Sequence, residues 1–172
     1  MAQQFSVSMC VYAKDNPEWF RQAVESILHQ TMPPSEVVLV VDGPVPEALN
    51  RAVKSYEALP NFRVIRLPFN QGHGIARQIG LEACKYDLVA FMDADDISIP
   101  NRFEKQIRMF RGDPLLSAVG GNIAEFVEIP TKIVGYRIVP EESEDIARYL
   151  EKRCPLNHVT VMLRKSDVLR VR

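Results

Sequence analysis

Residues 88–97 read LVAFMDADDI, five apolar residues running straight into three carboxylates within four positions, Asp93, Asp95 and Asp96. Two like charges at ~4 Å repel by about 1 kcal/mol in water and by several times that near a protein surface. A cluster kept at the lip of a core therefore needs a cation, a proton or a helix end beside it. Mg²⁺ or Mn²⁺ takes oxygen ligands octahedrally, commonly one or two carboxylates, and leaves other positions to substrate phosphates. Asp95 and Asp96 are the candidate metal ligands. The competing reading is capping, with Asp95, Asp96 or Ser98 ahead of a helix that begins near Pro100. A cap explains one aspartate and not three, which favours the metal.

Two further strand ends carry groups of the same kind. The apolar stretches FSVSMCVY (5–12) and EVVLVV (36–41) read as buried strands ending at Tyr12 and Asp42. The Tyr12 ring offers a face on which a base could stack. Asp42, an acceptor only when ionised, suits a pyrimidine N–H or a ribose hydroxyl. The plainer alternatives are a strand-end core residue for Tyr12 and a simple turn for Asp42-Gly43-Pro44.

The segment NQGHGIARQIG (70–80) reads as a tight glycine turn into a helix, with glycine spacing that departs from the dinucleotide fingerprint. Arg77, one turn in, could reach a base or phosphate near the positive helix end, or make a surface ion pair. Arg102 could pair with Asp95 or Asp96. Of the histidines, His29 reads as a dipole partner at a helix C-terminus and His73 lies in the glycine turn. His158 opens the last strand beside Asn157, where a polar pair could face the crevice, and a satisfied buried histidine is the favoured reading.

The elements that must position these groups follow from periodicity. NPEWFRQAVESILHQ has Asn16 as cap, Pro17 at the first helical position, and Phe20, Val24, Ile27 and Leu28 on one face. Helices are expected at 46–59, 72–84 and 100–111, and strands at 62–67 and 87–92. Strand alternating with helix predicts a mostly parallel sheet with helices on both faces. In such a sheet, ligands bind in the crevice outside the strands' carboxyl ends. Base, ribose and metal-bridged diphosphate side by side describe a nucleotide-diphosphate ligand.

Beyond residue 112 the pattern turns to α+β. LLSAVGGNIAEFVEI and KIVGYRIV read as strands, 143–150 as a short helix, and HVTVML (158–163) as a last strand, with an antiparallel edge to the sheet expected. RKSDVLRVR begins like a helix capped by Ser166 and runs for about one turn. One turn does not offset the cost of helix nucleation by itself, so the sequence reads as a fragment of a longer chain.

Composition sets the outer bounds. The chain has 172 residues, 47% apolar and 25% charged, with a formal net charge of -1. That balance gives no electrostatic footprint for nucleic acid. Three widely spaced cysteines, Cys10, Cys84 and Cys154, without a CxxC, argue against a disulfide framework or zinc site and for a reducing setting. No signal peptide or membrane-spanning stretch is present in the sequence.

These residues resemble the inverting family 2 glycosyltransferases of the GT-A fold. VYAKDNPEWFRQAVESILHQT is similar to that family's opening strand and helix, NQGHGIARQIGLEAC to its third helix, and DLVAFMDADDISIPNRFEKQ to its DxD metal-binding region. EVVLVVDG is similar to its second strand, where two aspartates usually precede the glycine; Val41 replaces the first and Asp42 matches the second. The resemblance covers nearly the whole chain. It implies a Rossmann-like α/β domain of GT-A type over 1–172, with 1–112 the nucleotide-binding half and 113–172 the start of the acceptor-side half. It implies a nucleotide-sugar donor, often UDP-linked, Mg²⁺ or Mn²⁺, and a saccharide or lipid-linked acceptor, with polysaccharide or glycoconjugate assembly at the cytoplasmic membrane face. Tyr12 and Asp42 would contact the base, Asp93 the ribose side, and Asp95 or Asp96 the metal. The family's catalytic base lies in an acidic motif downstream of the segment resembling PLNHVTVMLRKSDV, so it is expected beyond Arg172. Two rivals carry different expectations: a nucleotide-sugar-binding domain without turnover, and a phosphatase of haloacid-dehalogenase type. The latter usually carries its DxD on the first strand rather than the fourth.

Overall fold

The computed structural model describes residues 3–171. Four strand–helix pairs come first: β1 (Ser6–Val11), α1 (Pro17–Leu28), β2 (Glu36–Val41), α2 (Glu47–Glu57), β3 (Phe62–Arg66), α3 (His73–Ala83), β4 (Leu88–Met92) and α4 (Arg102–Gly112). Shorter pieces follow: β5 (Ala118–Val119), β6 (Ile123–Phe126), β7 (Ile133–Arg137), α5 (Ser143–Leu150), a 3-10 turn over His158–Thr160, β8 (Met162–Arg164) and α6 (Lys165–Arg170).

The main sheet has the order β3-β2-β1-β4-β8-β5, and β6 pairs with β7 in a separate two-stranded ribbon. Strands β1 to β4 are parallel, with Val11 opposite Val41 and Met9 opposite Met92, so their carboxyl ends share one edge. β2 and β4 are apolar on both faces because helices cover both, whereas β1 turns the buried Ser6 and Ser8 toward α3. Val37, Leu39 and Val41 of β2 and Leu88, Ala90 and Met92 of β4 join the core beneath α1, α2 and α4. The alternate residues Val38, Val89 and Phe91 face a second cluster with Leu81 and Cys84 at the end of α3. α3 approaches β1 closely: a Cβ at Gly80 would collide with the Ser8 hydroxyl.

The Asn16 side chain accepts from the backbone N–H of Glu18 at 2.8 Å and of Trp19 at 3.3 Å, with Pro17 opening α1 as its chemistry predicts.

Three expectations need correction. The antiparallel strand is not the sheet's edge. β8 lies between β4 and β5 and is antiparallel to both, because its apolar Met162 and Leu163 are buried only in that interior slot. The first three residues expected in it form the 3-10 turn instead, where Thr160 Oγ1 donates to the Asn157 carbonyl at 2.6 Å and bends the backbone out of the ladder. Ser166 does not cap α6. Arg164 holds the capping position without a side-chain bond. The Ser166 N–H donates to Asp87 Oδ1 at 2.9 Å and the Lys165 N–H to the Asp87 carbonyl at 2.7 Å. The short helix is thus nucleated by a residue remote in sequence, which removes the nucleation difficulty.

Candidate functional site

Strand order reverses between β1 and β4: the chain winds outward through β2 and β3, then crosses back to place β4 on the other side of β1. Adjacent loops diverge at such a point and open a crevice at the carboxyl ends. A cavity of about 510 Å³ lies there, and Tyr12, Asp42, Asp93 and Asp95 all line it. A larger hollow of about 710 Å³ adjoins it, sharing Asp93 and Asp95 and adding Asp96. Arg77 reaches this region through an ion pair with Asp93.

Tyr12, directly after β1, is 42% exposed and so is not a core residue. Asp42 is the reverse, only 4% exposed. Its two carboxylate oxygens accept from the backbone N–H groups of Gln71 at 2.7 Å and Gly72 at 3.0 Å. It therefore ties the end of β2 to the turn that begins α3. Gly43 beside it has φ +86, and a Cβ there would meet the backbone of Asn70 at 2.5 Å. That position needs glycine on both conformational and packing grounds.

Arg77 does not make a surface pair. It is 8% exposed, bonds Asp93 Oδ1, and lies 5.1 Å over the Phe91 ring. Its Nε and Nη1 are buried without a hydrogen-bond partner. Desolvated donors of this kind cost about 1–3 kcal/mol each when left unmade, and Arg77 itself lines neither cavity.

The capping alternative for the aspartates fails. α4 begins at Arg102 behind Asn101, with no side-chain cap, and the Ser98 N–H donates to Ser26 Oγ instead. Neither Asp95 nor Asp96 has a hydrogen-bond or ion-pair partner among the described residues. Burial, then the charges of Asp95 and Asp93, push the Asp96 carboxyl up to about 6, against the pull of Arg102 and Arg137. Arg102 is close enough to be felt but does not pair with Asp95 or Asp96. Its Nη2 donates to the Phe91 carbonyl at 2.9 Å, its Nε to Gln106 Oε1 at 3.2 Å, and burial lowers it to about 10.

Three lining residues, Asp15, Cys10 and His73, were not assigned to the site from sequence. Asp15 Oδ2 accepts from the Tyr12 N–H at 2.9 Å, and burial, then the repulsion of Asp95, raises its carboxyl. The signal was an acid three residues past the strand end, just ahead of the Asn16 cap. His73, at the start of α3, sets Nδ1 3.6 Å from Cys10 Sγ, and both line the smaller cavity. Burial raises the Cys10 thiol to about 11, so it is neutral at ordinary pH. His158 is exposed, not buried: its ring meets Phe91 edge-on at 5.4 Å and fronts the larger hollow. The buried member of that pair is Asn157, whose Nδ2 donates to the Gly121 carbonyl at 2.8 Å.

A mostly parallel sheet, covered by helices on both faces and carrying a polar cavity across its strand-order reversal, defines a doubly wound α/β protein with a ligand crevice. The family model for Glycosyl transferase family 2 matches residues 6–170, and the chain belongs to that family. An uncharacterized glycosyltransferase of Haemophilus influenzae is 43% identical over 166 residues, covering 96% of this chain and 62% of that protein. The UDP-Gal:alpha-D-GlcNAc-diphosphoundecaprenol beta-1,3-galactosyltransferase of Escherichia coli is 33% identical over 168 residues, covering 98% of this chain and 61% of that protein. The chain thus spans about three fifths of the length of these relatives. Among solved structures, S. aureus TarS 1-349 in complex with UDP superposes with a TM-score of 0.73 at 20% identity, covering 98% of this chain and 49% of that one. At that identity the likeness concerns the fold. No helix among the described residues is long and apolar enough to cross a membrane.

Proposed function

We propose that this chain is the donor-binding portion of an inverting glycosyltransferase, which moves a sugar from a UDP-linked donor to an acceptor hydroxyl in polysaccharide or glycoconjugate synthesis. The observation that carries this reading is the gathering of Tyr12, Asp42, Asp93 and Asp95, from three separate strand ends, around one cavity of about 510 Å³. That volume lies in the range of small-molecule and cofactor sites. The relative from E. coli, 33% identical and named for a UDP-sugar donor and a diphosphoundecaprenol-linked acceptor, supports the same chemistry.

Tyr12, half-exposed at the mouth, is the stacking surface for the base. Asp42 holds the Gln71–Gly72 turn with one bond to each carboxylate oxygen, and the second lone pair of each oxygen is the acceptor for the base. Asp93 faces the ribose, and Arg77 fixes its orientation through the buried ion pair. The transfer forms a bond from the acceptor oxygen to the anomeric carbon and breaks that carbon's bond to the diphosphate oxygen, which leaves with the electron pair. The hydroxyl proton passes to a general base. The contribution of the binding residues is positioning.

The residues present fit a divalent ion. Asp95 and Asp96 offer hard oxygen donors without protein partners, and the mutual repulsion that raises Asp96 is what an added cation relieves. Among the described residues no group of three or more His, Cys, Asp or Glu side chains forms an all-protein metal site, which suits Mg²⁺ or Mn²⁺ shared with phosphate and water. Such an ion supplies Lewis-acid stabilisation of the departing nucleoside diphosphate.

Isothermal titration of UDP with Mn²⁺, and again with chelator, tests the reading. Affinity is expected to fall about tenfold or more on chelation, and Asp95→Asn with Asp96→Asn should abolish the difference between the two conditions. Equal affinity with and without the ion rejects the metal role. Absence of UDP binding in both conditions rejects the UDP donor.

A further inference from the structure

The ion proposed on Asp95 and Asp96 balances those two carboxylates, so the charge that transfer creates calls for a further counter-charge. When the bond from the anomeric carbon to the diphosphate breaks, its electron pair stays on the terminal phosphate oxygen, and negative charge builds there. Positive groups around that point are few. Among the described residues, Arg137 is the one lysine or arginine that lines either the donor cavity or the larger hollow. It shares the larger hollow with Asp93, Asp95 and Asp96. The other cations nearby are committed elsewhere: Arg77 to Asp93, Arg102 to the Phe91 carbonyl and Gln106, and Lys132 to Glu128. His158 fronts the same hollow, but burial, then the Arg77 charge, lower its pKa and favour the neutral ring. His73 stands in the smaller cavity against the Cys10 thiol.

Arg137 ends β7 with its backbone anchored and its tip weakly held. Its carbonyl accepts from the buried Asn157 Nδ2 at 3.4 Å, and just after it the Val139 N–H donates to Asn122 Oδ1 at 2.9 Å. These bonds fix the root of the side chain beside the hollow. The guanidinium is half-exposed and pairs across the ribbon with Glu125, also half-exposed, at 2.5 Å. An ion pair in that setting adds little stability. A phosphate offers the same fork two parallel charge-assisted bonds, in a place more sheltered from water. Exchange of Glu125 for phosphate is therefore favourable. The Arg137 charge already reaches the acidic cluster: Asp96, raised by burial and then by Asp95 and Asp93, is pulled back by Arg102 and Arg137. We propose that Arg137 leaves Glu125 to bind the donor's diphosphate and stabilises the charge that develops on the departing nucleoside diphosphate. The step moves no proton to or from the guanidinium. This rests on the reading of a UDP-linked donor above and adds a residue of the β6–β7 ribbon to a task otherwise left to the ion.

The test compares ligands with and without phosphate. In the presence of Mn²⁺, UDP affinity is read by calorimetry and uridine affinity by saturation-transfer NMR, for the wild-type chain, Arg137→Ala, Arg137→Lys, Glu125→Gln and the double variant. Arg137→Ala is expected to weaken UDP about tenfold and to leave uridine within about twofold. Arg137→Lys should recover part of the loss, as a point charge without the fork. Glu125→Gln should strengthen UDP about twofold or more by releasing the guanidinium, and that gain should vanish when Arg137→Ala is added. A pair that only braces the ribbon predicts the reverse, weaker UDP binding in Glu125→Gln as in Arg137→Ala, and that result overturns the proposal. A gain from Glu125→Gln that persists without Arg137 is a plain charge effect and overturns the exchange. UDP affinity unchanged in Arg137→Ala overturns the proposal and leaves the donor reading in place. Weakening confined to farnesyl diphosphate, with UDP unchanged, gives Arg137 to an acceptor's diphosphate and overturns it as well. Failure of the wild type to bind UDP removes the donor reading and this inference together.

Discussion

In the first 112 residues, the helices over one face of the sheet press rows of apolar side chains against it. α1 buries Phe20, Val24 and Ile27, α2 buries Leu49 and Val53, and α4 buries Phe103, Ile107 and Phe110. Beyond residue 112, α5 buries none of its residues, and the β6–β7 ribbon leaves Val134 and Tyr136 exposed, as is Ile138 just after it. The apolar residues buried there, Val119, Val161, Met162 and Leu163, belong to the strands that join the main sheet and the residue leading into one of them. The smaller cavity therefore rests on strand ends of a packed scaffold. The larger hollow has one wall of that kind, from α1 and the loop after β4, and a second wall from the ribbon through Ile123, Phe126 and Arg137. A site built on packed elements is held in place before its ligand arrives, whereas a wall with few buried contacts draws on the low-stability end of the molecule. The comparison predicts a preorganised donor cavity and a more adaptable neighbouring hollow.

The largest effect that would break this contrast is a paired truncation. Leu39→Ala in the core of β2 should cost about 3 kcal/mol in urea unfolding, as a buried leucine does. Ile138→Ala, at a site 72% exposed, should change stability by no more than about 0.5 kcal/mol. Comparable losses at both positions would erase the distinction between the regions.

A smaller effect sharpens the account of the donor cavity. Asp42→Asn keeps the shape but turns one acceptor into a donor facing the Gly72 or Gln71 N–H. The expected loss is about 1–2 kcal/mol, with faster amide exchange at Gln71 and Gly72 than elsewhere in α3. Unchanged exchange at those amides would show that the two Asp42 bonds do not hold the turn.

The smallest effect depends on pH. The Tyr56 phenol donates to Glu25 Oε1 at 2.7 Å, and burial, then that hydrogen bond, raise it from 10.0 to about 12. The folded state thus holds this proton more tightly than the unfolded chain. Its contribution is fully present below pH 10 and is lost as pH rises toward 12. The difference in unfolding midpoint between wild type and Tyr56→Phe should be constant from pH 7 to 9, about 1 kcal/mol, and shrink above pH 10. A difference that grows with pH would place the phenolate, not the phenol, in the folded state.

Much of the first region was readable because its signals are local. The Asn16 cap, the Pro17 start, the helical spacing of Phe20, Val24 and Ile27, and the apolar runs of β1, β2 and β4 each act over a few residues. The resemblance in the DxD segment identified the family for the same reason, since its motif is contiguous. The second region was read less well. Gly120 and Gly121 separate β5 from β6, and the Asn157–Thr160 bonds replace the first part of a strand, through contacts the hydrophobic pattern does not encode.

Taken alone, the order of residues gave the four strand–helix pairs of the first region and the residues at the ends of β1, β2 and β4. Only the folded chain decided how those ends meet. Asp42 accepts from backbone amides 29 and 30 residues away. Arg77 is buried against Asp93 rather than exposed, and β8 enters the sheet antiparallel between β4 and β5. Asp15 and His73 share a cavity with residues from three strands. Secondary structure follows from short-range sterics and periodicity, whereas pairing partners, burial and charge balance are set by segments remote in sequence, whose approach is governed by the packing of the whole molecule.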